Sequence, residues 1–287
     1  MLGFLLLLGS SAAYGFSNAY WKKAVEGYSF LQVIFTRGLI TSSFFAFCLL
    51  IDLKFHLFEP WVGIIPSFTT QQFLLSMGLC FFSAFGLYFF VRSLRFGAVS
   101  LIVPISSINL FGMLTMVFVL GESWKINASV AFLLVCAGVY LLFLKELQFK
   151  RLDESVKSAL GALLTSFFWG VSYTLFKIPV SWLGVLPFTL LLEGSVTVLI
   201  GLFLLFQKHA WQSIPIRPLF VLALSVIAGS ILLHLAYSKA SMTQIIFVGK
   251  SQLVLTLFFS RLLYREKISR VQWLGIVLLI FSIYIVT

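Results

Sequence analysis

The chain has 287 residues, of which 61% are hydrophobic, 17% aromatic and only 10% charged. Soluble domains carry about 25% charged residues, so this composition excludes an ordinary water-soluble domain, and its abundant apolar residues exclude a disordered chain. The formal net charge of +11 comes from 20 Lys and Arg against 9 Asp and Glu. Because the basic residues lie between apolar runs, they fit loops that face anionic lipid headgroups better than a nucleic-acid surface. The sequence therefore predicts an integral membrane protein whose surroundings are the lipid bilayer, with no nucleic-acid partner.

Ten stretches are apolar and long enough to cross a bilayer, which takes about 20 residues of helix. They are 3–21, 30–51, 72–91, 98–120, 127–144, 158–177, 185–206, 218–237, 242–263 and 271–287. None of them alternates between polar and apolar residues as the strands of a membrane barrel do, so the predicted fold class is all-α with ten transmembrane helices. We expect a multi-pass protein of the cell membrane, of the bacterial inner-membrane type, with both termini on one side.

The two halves of the sequence resemble each other, which predicts an internal repeat. The matched segments are Tyr14-Gly15-Phe16-Ser17 with Trp169-Gly170-Val171-Ser172, Arg37-Gly38 with Glu193-Gly194, and Pro104 with Gly249. The charged connector 145–157 separates a first half, 1–144, from a second half, 158–287, and each half contains five predicted spans. Because five is odd, the second half enters the membrane from the opposite face, so the repeats are inverted. Inverted repeats suit alternating access to a central site.

The same residues resemble the EamA-type repeat of the drug/metabolite transporter superfamily. The resemblance rests on an aromatic-Gly-x-Ser opening in each half with a later lysine (Lys22 and Lys177), on Arg37, on the run 88–98 before Pro104, and on the closing Gly138-Val139. It implies a ten-helix secondary transporter of small metabolites, often amino acids or related solutes, with a cavity between the halves. It also implies cytoplasmic termini, whereas the basic residues concentrate in the loops after odd-numbered spans and predict external termini. Glu193 and Lys250 depart from the family pattern.

Three charged residues fall near the middle of the predicted membrane: Arg37, Glu193 and Lys250. A charge at that depth costs roughly 2.5–3.5 kcal/mol, so it is kept where it pairs, lines a watery cavity or acts on a solute. One interpretation is a substrate-binding site, in which Lys250 or Arg37 holds an anionic group and Glu193 holds an amine or a coupling proton. The other is an ion pair of Glu193 with Lys250 or Arg37 that only joins helices.

Pro104 and Gly249 are predicted helix breaks at matched positions, where loosened backbone can face a solute. Asn109 and Gln252 lie near these breaks and are candidate substrate-binding residues, although hydrogen bonding between helices accounts for such side chains equally well.

Aromatic residues supply a further set of candidate solute contacts. Tyr14, Trp169, Tyr173 and Tyr88 could line a cavity and stack on a solute, or they could pack in the core or against lipid. His234 lies near the end of the eighth span and fits a packed or interfacial histidine better than a proton relay.

The sequence contains no pattern typical of an enzyme, a cofactor site or a metal site. Gly249-Lys250-Ser251 resembles part of a phosphate-binding loop, but Gln244 stands where that loop needs its first glycine. Cys48, Cys80 and Cys136 lie in apolar runs and are interpreted as small buried side chains. We therefore expect a secondary transporter, not driven by ATP, of a small polar and amino-acid-like metabolite. A phosphorylated or nucleotide-linked solute, a non-transporting scaffold or sensor, and assembly as a homodimer stay open.

Overall fold

The chain folds as a bundle of α-helices. The computed structural model describes residues 1–62, 66–97, 99–107, 110–121, 126–143, 152–206, 211, 213–265 and 269–286, and these residues contain no strand. Their helices are α1 (Leu2–Ala24), α2 (Phe30–Phe55), α3 (Glu59–Val62), α4 (Thr70–Phe96), α5 (Val99–Ser106), α6 (Leu110–Phe118), α7 (Ile126–Phe143), α8 (Leu152–Leu175), α9 (Lys177–Leu183), α10 (Val185–Leu205), α11 (Ile216–Lys239), α12 (Met242–Val248), α13 (Ser251–Tyr264) and α14 (Arg270–Val286).

Seven helical runs are long and apolar enough to cross a membrane: α1, α2, α4, most of α8, α10, α11, and α12 together with α13. They coincide with seven of the ten predicted spans. The other three predicted spans contain α5 with α6, α7 and α14, whose apolar portions are shorter. The helix α8 begins at Leu152, inside the predicted connector 145–157, because hydropathy marks where a chain can enter lipid and does not mark where a helix ends.

The distribution of polar residues is the reverse of that in a soluble protein. Phe47, Leu133 and Phe206 are 62%, 66% and 85% exposed, whereas Arg37 and Glu193 are 2% and 5% exposed. A broad exposed apolar surface marks contact with another apolar phase, which for helices of this length is lipid. The polar residues are therefore gathered inside the bundle.

Two helices end close to the predicted breaks. The helix α5 contains Pro104 and ends two residues later, at Ser106. The helix α12 ends at Val248 and α13 begins at Ser251, with Gly249 and Lys250 between them. There the N–H of Lys250 donates to the carbonyl of Phe247 at 3.0 Å, and the carbonyl of Lys250 accepts from Leu253 at 3.0 Å. This is a local 3₁₀ turn, which tightens the helix and changes the direction of its carbonyl groups.

Helix contacts recur between the two halves of the chain. The helix α1 packs on α11 and α13, and α8 packs in the same way on α4 and α6, while α2 packs on α10 and α7 on α14. The C-caps of α4 and α11 are Gly97 and Ala240, and α5 and α12 begin at Val99 and Met242, so both pairs are 143 residues apart. With the halves aligned at this offset of 143, Lys250 matches Ser107. The match of Pro104 with Gly249 in the sequence gives an offset of 145, which is two residues larger.

Candidate functional site

A cavity of about 160 Å³ lies inside the bundle and is lined by α1, α2, α4, α5, α8, α10, α11, α12 and α13. One water needs only about 15 Å³ of such space, so the cavity has room for a small organic solute or several waters. Its polar and aromatic lining comprises Ser10, Ser11, Tyr14, Ser17, Asn18, Trp21, Arg37, Ser83, Ser106, Ser107, Trp169, Tyr173, Thr174, Glu193, Tyr237, Lys250 and Gln252.

The helix α1 supplies the longest part of this lining. Ser10, Tyr14, Ser17 and Trp21 follow one another at spacings of three or four residues, which places them on a single face of the helix. The lining begins at Leu7, so it extends along α1 for about 21 Å at 1.5 Å per residue. Its polar and aromatic part, from Ser10 to Trp21, is about 17 Å long, which is more than half the thickness of a hydrocarbon core.

The charged side chains of α2 and α10 form an ion pair in the wall of the cavity. The guanidinium of Arg37 donates to Oε2 of Glu193, and the hydroxyl of Thr41 donates to the same oxygen at 2.8 Å. The guanidinium carbon lies 5.6 Å from the ring centroid of Trp21, a distance typical of a cation–π contact. Of the two partners that the sequence left open for Glu193, the structure thus brings Arg37 to it.

A glycine allows α2 and α10 to approach closely beside this ion pair. A methyl group added at Gly38 would lie 2.5 Å from Oγ1 of Thr197, closer than real contacts allow. The same Thr197 hydroxyl donates to the main-chain carbonyl of Glu193 at 2.9 Å. The backbone of Glu193 is therefore held by its own helix, and its side chain is held by α2.

Lys250 occupies a different part of the cavity wall. Its Nζ donates to the main-chain carbonyl of Ser107 at 2.5 Å, just beyond the end of α5. The last carbonyls of a helix lack partners within the helix and carry partial negative charge, so a cation is stabilised there. In the part of the chain that the structure describes, Lys250 has no ion-pair partner. Its positive charge is thus solvated by a carbonyl and is not balanced by a carboxylate.

Tyr14 packs against α11 at a glycine. A methyl group at Gly229 would lie 2.9 Å from a ring carbon of Tyr14, and the carbonyl of Gly229 accepts from Oγ of Ser10 at 3.0 Å. The phenol oxygen of Tyr14 lies 2.7 Å from Oγ of Ser230. The ring is therefore held at one face by Gly229 and at its hydroxyl by Ser230 while it lines the cavity.

Trp169 packs against α4 in the same manner. A methyl group at Gly86 would collide with the indole, and the carbonyl of Gly86 accepts from Oγ1 of Thr165 at 3.3 Å. The indole N–H donates to the carbonyl of Ser83 at 3.2 Å, and the ring stacks on Tyr173 with centroids 5.5 Å apart. Tyr173 receives a further contact from the hydroxyl of Tyr237, which donates to its carbonyl at 2.6 Å.

Most of the site residues expected from sequence share this one cavity. Those that line it are Arg37, Glu193, Lys250, Gln252, Tyr14, Trp169, Tyr173 and the helix-break residue Gly249. Pro104 lies two residues before the lining residue Ser106, and Asn109 lies outside the described residues. Tyr88 is not part of the lining: its ring packs on Phe30 and Phe203, 5.7 and 5.3 Å away. On α4 the lining positions are 83 and 87, and Tyr88 is turned about 100° from the latter.

Sequence reasoning missed Asn18 and Trp21, which complete the polar face of α1 around Arg37. Their signal was present in the helical spacing from Ser10 onward, but it is weak in a chain with so many aromatic residues. Within the described ranges, no group of three His, Cys, Asp or Glu side chains is arranged to hold a metal ion.

Comparison with known proteins agrees with the resemblance seen in the sequence. The model of the EamA-like transporter family matches residues 156–287. This match covers a little under half of the chain. EamA-like proteins are part of the drug/metabolite transporter superfamily, and the match together with the seven long apolar helices supports a multi-pass membrane protein.

The fold is also found among solved structures. One crystal structure superimposes over 98% of this chain and 95% of its own length, with a TM-score of 0.70 and 15% sequence identity. At this identity the likeness shows the fold alone. No curated protein sequence matches the chain.

Proposed function

We propose that the chain is a secondary transporter, independent of ATP, for a small metabolite that carries one carboxylate and resembles an amino acid. It works in a bacterial-type inner membrane by alternating access between two inverted five-helix repeats, 1–144 and 158–287, joined by the connector 145–157. The family match supports transport, and the polar cavity between the halves supports a central site for the solute.

The recurrence of helix contacts supports the inverted repeat. A two-fold axis that relates the halves would place equivalent helices against each other near the axis, as α2 with α10 and α7 with α14. It would also exchange the pair α1 and α11 for the pair α8 and α4, and both pairs are present. Arg37 and Glu193 are matched residues, 156 apart, and they touch each other as side chains close to such an axis do. Two similar halves can then exchange roles on the two sides of the membrane.

The charge balance of the cavity wall supports the substrate class. The carboxylate of Glu193 neutralises Arg37, whereas the amine of Lys250 is bonded to a carbonyl oxygen and, among the described residues, to no carboxylate. A solute with one carboxylate would balance that charge, and a doubly charged phosphate would leave an excess of negative charge in a poorly solvated site. Lys250 in the cavity wall is the observation that carries this proposal.

Glu193 is the proposed site of the coupling proton. A proton on its carboxylate removes the negative charge that holds Arg37, which frees the guanidinium and loosens α2 from α10. Solute and proton would thus act on neighbouring parts of one cavity, Lys250 on the solute and Glu193 on the contact between the halves.

Thermal unfolding of the purified chain tests the proposal. A ligand at a hundred times its dissociation constant stabilises the folded protein by about 2.7 kcal/mol. We expect amino acids or monocarboxylates to raise the unfolding temperature of the native chain and not that of Lys250→Met. Lys239→Met, which removes an exposed lysine at the end of α11, is the matched control and should respond like the native chain.

Other outcomes decide against the proposal. Stabilisation by organic phosphates alone would favour the phosphorylated solute, and no stabilisation by any metabolite pool would favour a scaffold or sensor. Once a stabilising carboxylate is known, its uptake into proteoliposomes should lose its pH dependence in Glu193→Gln. Uptake by that variant with unchanged pH dependence would reject the role of Glu193.

A further inference from the structure

His234 lies on α11 in a fully buried position, at 0% exposure. Its Nδ1 is 2.6 Å from Oγ1 of Thr189 on α10, and the same hydroxyl donates to the carbonyl of Val185 at 2.6 Å. A threonine hydroxyl has a single hydrogen, and here that hydrogen is directed to Val185. The hydroxyl oxygen therefore accepts a hydrogen bond from the imidazole. This geometry assigns a hydrogen to Nδ1, and in the neutral imidazole Nε2 is then the nitrogen without a hydrogen.

The second nitrogen of this imidazole is an unpaired acceptor. Nε2 is buried and has no hydrogen-bond partner among the described residues. The surrounding groups are aromatic: Phe188 at 5.0 Å, Phe176 at 6.4 Å and Tyr237, stacked at 6.0 Å, measured between ring centroids. A buried polar atom without a partner costs free energy, so such an atom in a native fold needs an explanation. The sequence-based expectation of a packed histidine holds for its burial but not for its hydrogen bonding.

The first half of the chain shows what the fold itself requires at these positions. In the repeat on which the proposed function rests, Thr189 matches Val33 (156 residues earlier) and His234 matches Val91 (143 residues earlier). Both valines are 0% exposed. The same helix arrangement is thus built with two packed valines in one half and with a polar, incompletely bonded pair in the other. Packing does not account for the histidine and the threonine.

We propose that His234 is a proton-binding residue coupled to the conformational cycle of the transporter. A proton from water adds to the Nε2 lone pair and gives an imidazolium with two N–H donors. One donor keeps its bond to Thr189, and the new Nε2–H has no acceptor in this conformation. The protonated form therefore favours a different packing of α10 against α11. That change reaches the cavity directly, because Glu193 follows Thr189 by one helical turn and Tyr237 follows His234 by almost one turn.

No other ionisable group takes the place of Thr189 in this arrangement. The ionisable groups on α11 and on the helices packed against it are Tyr14, Tyr20, Lys22 and Lys23 on α1, Arg37, Cys48, Asp52 and Lys54 on α2, Lys177 on α9, Glu193 on α10, and Arg217, Tyr237 and Lys239 on α11 itself, while Met242–Val248 contains none. Over the described ranges, none of them is hydrogen-bonded to the imidazole. A change in the charge of His234 is thus felt mainly by the contact between α10 and α11.

Nitrogen NMR of a protein with a single histidine tests proton binding without any solute. His56→Asn and His209→Asn leave His234 alone, and asparagine suits position 56 because that residue has a left-handed backbone with φ of 52°. In lipid we expect the Nδ1–H tautomer near pH 8 and an imidazolium on acidification to about pH 4. A tautomer with its hydrogen on Nε2, or no protonation over this range, would overturn the proposal.

A cysteine placed in the cavity reports the coupling. In a chain with Cys48, Cys80 and Cys136 replaced by alanine, and with Glu193 replaced by glutamine so that its proposed protonation does not contribute, Ser11→Cys would be labelled by a maleimide at different pH values. Because the thiolate is the reacting form, each rate is divided by that of free cysteine at the same pH. We expect this ratio to change about tenfold or more over the same pH range, as losing a hydrogen bond to a charged group implies. The double variant His234→Val with Thr189→Val, which copies the first half, should abolish this change.

His234→Asn is the matched control, because its amide can still donate to Thr189 but cannot titrate in this range. Its labelling rate, divided by that of free cysteine at the same pH, should also be independent of pH. If the valine or asparagine variants keep the pH response of their parent, His234 is not the coupled group. The proposal concerns the cycle of the transporter and therefore rests on the proposed function, but the NMR and labelling experiments use no solute. A negative result here leaves carboxylate binding at Lys250 standing, and the absence of stabilisation by carboxylates leaves the titration of His234 unchanged.

Discussion

The contact of α1 with α11 and that of α8 with α4 are built alike and yet carry different chemistry. In the first, the phenol of Tyr14 covers Gly229, and in the second the indole of Trp169 covers Gly86. The glycine is common to both because the ring must lie against bare backbone. The polar atom of the ring differs, since Tyr14 bonds to a side-chain hydroxyl whereas Trp169 bonds to a main-chain carbonyl.

The difference between the halves is larger for charged and titratable residues. In the proposed repeat, the second half places Glu193, Lys250 and His234 where the first half has Arg37, Ser107 and Val91. Close packing of backbones is therefore shared, whereas the groups that can meet an ion or a proton are unequal. In the proposed mechanism, two halves with the same backbone packing adopt two related conformations. Their unequal side chains make a solute or a proton bind one of these conformations more strongly.

The largest expected effect comes from reversing the ion pair that joins the halves. Either Arg37→Glu or Glu193→Arg alone places two like charges in a buried site, and we expect each to lose about 3–5 kcal/mol of stability. The double variant restores an ion pair at matched positions and should recover most of the loss. Thermal unfolding of the purified proteins measures all three. A double variant as unstable as the sum of the single variants would show that the two positions are not equivalent.

A smaller effect is expected from filling the glycines beneath the two rings. Gly86→Ala and Gly229→Ala each push a methyl group into an aromatic ring, which should cost about 1–3 kcal/mol through overpacking. Gly78→Ala on α4 is the matched control, because nothing lies within 4 Å of the added methyl group. It should be neutral or stabilise the helix slightly. If Gly78→Ala lowers the unfolding temperature as much as the other two variants, the close packing of Trp169 on Gly86 and of Tyr14 on Gly229 is contradicted.

The smallest expected effect distinguishes the polar atoms of the two rings. Tyr14→Phe removes the hydrogen bond to Ser230 and should cost about 0.5–1.5 kcal/mol. Ser230→Ala should cost a similar amount, and the double variant should cost little more than either, because both remove the same bond. Strictly additive losses in this double-mutant cycle would mean that the two hydroxyl groups do not interact.

Much of the architecture was predictable from sequence, whereas the partners of the charged residues were not. The apolar runs predicted seven helices that the structure contains, and the aromatic-Gly-x-Ser motifs predicted the family. The depths of Arg37, Glu193 and Lys250 along their helices indicated a common level, and all three line one cavity. Depth alone did not decide whether Glu193 meets Arg37 or Lys250. It also did not show that Tyr88 points away from the lining.

The amino-acid sequence by itself determined which segments can lie in lipid, because transfer from water to hydrocarbon depends on each side chain and adds along a helix. It also determined which polar residues had to be sheltered there. Only the tertiary structure decided which of these side chains touch, because that depends on the rotation of each helix about its axis and on the glycines that let two backbones approach. The neutralised Arg37, the carbonyl-bound Lys250 and the half-bonded His234 are all consequences of packing between helices distant in sequence.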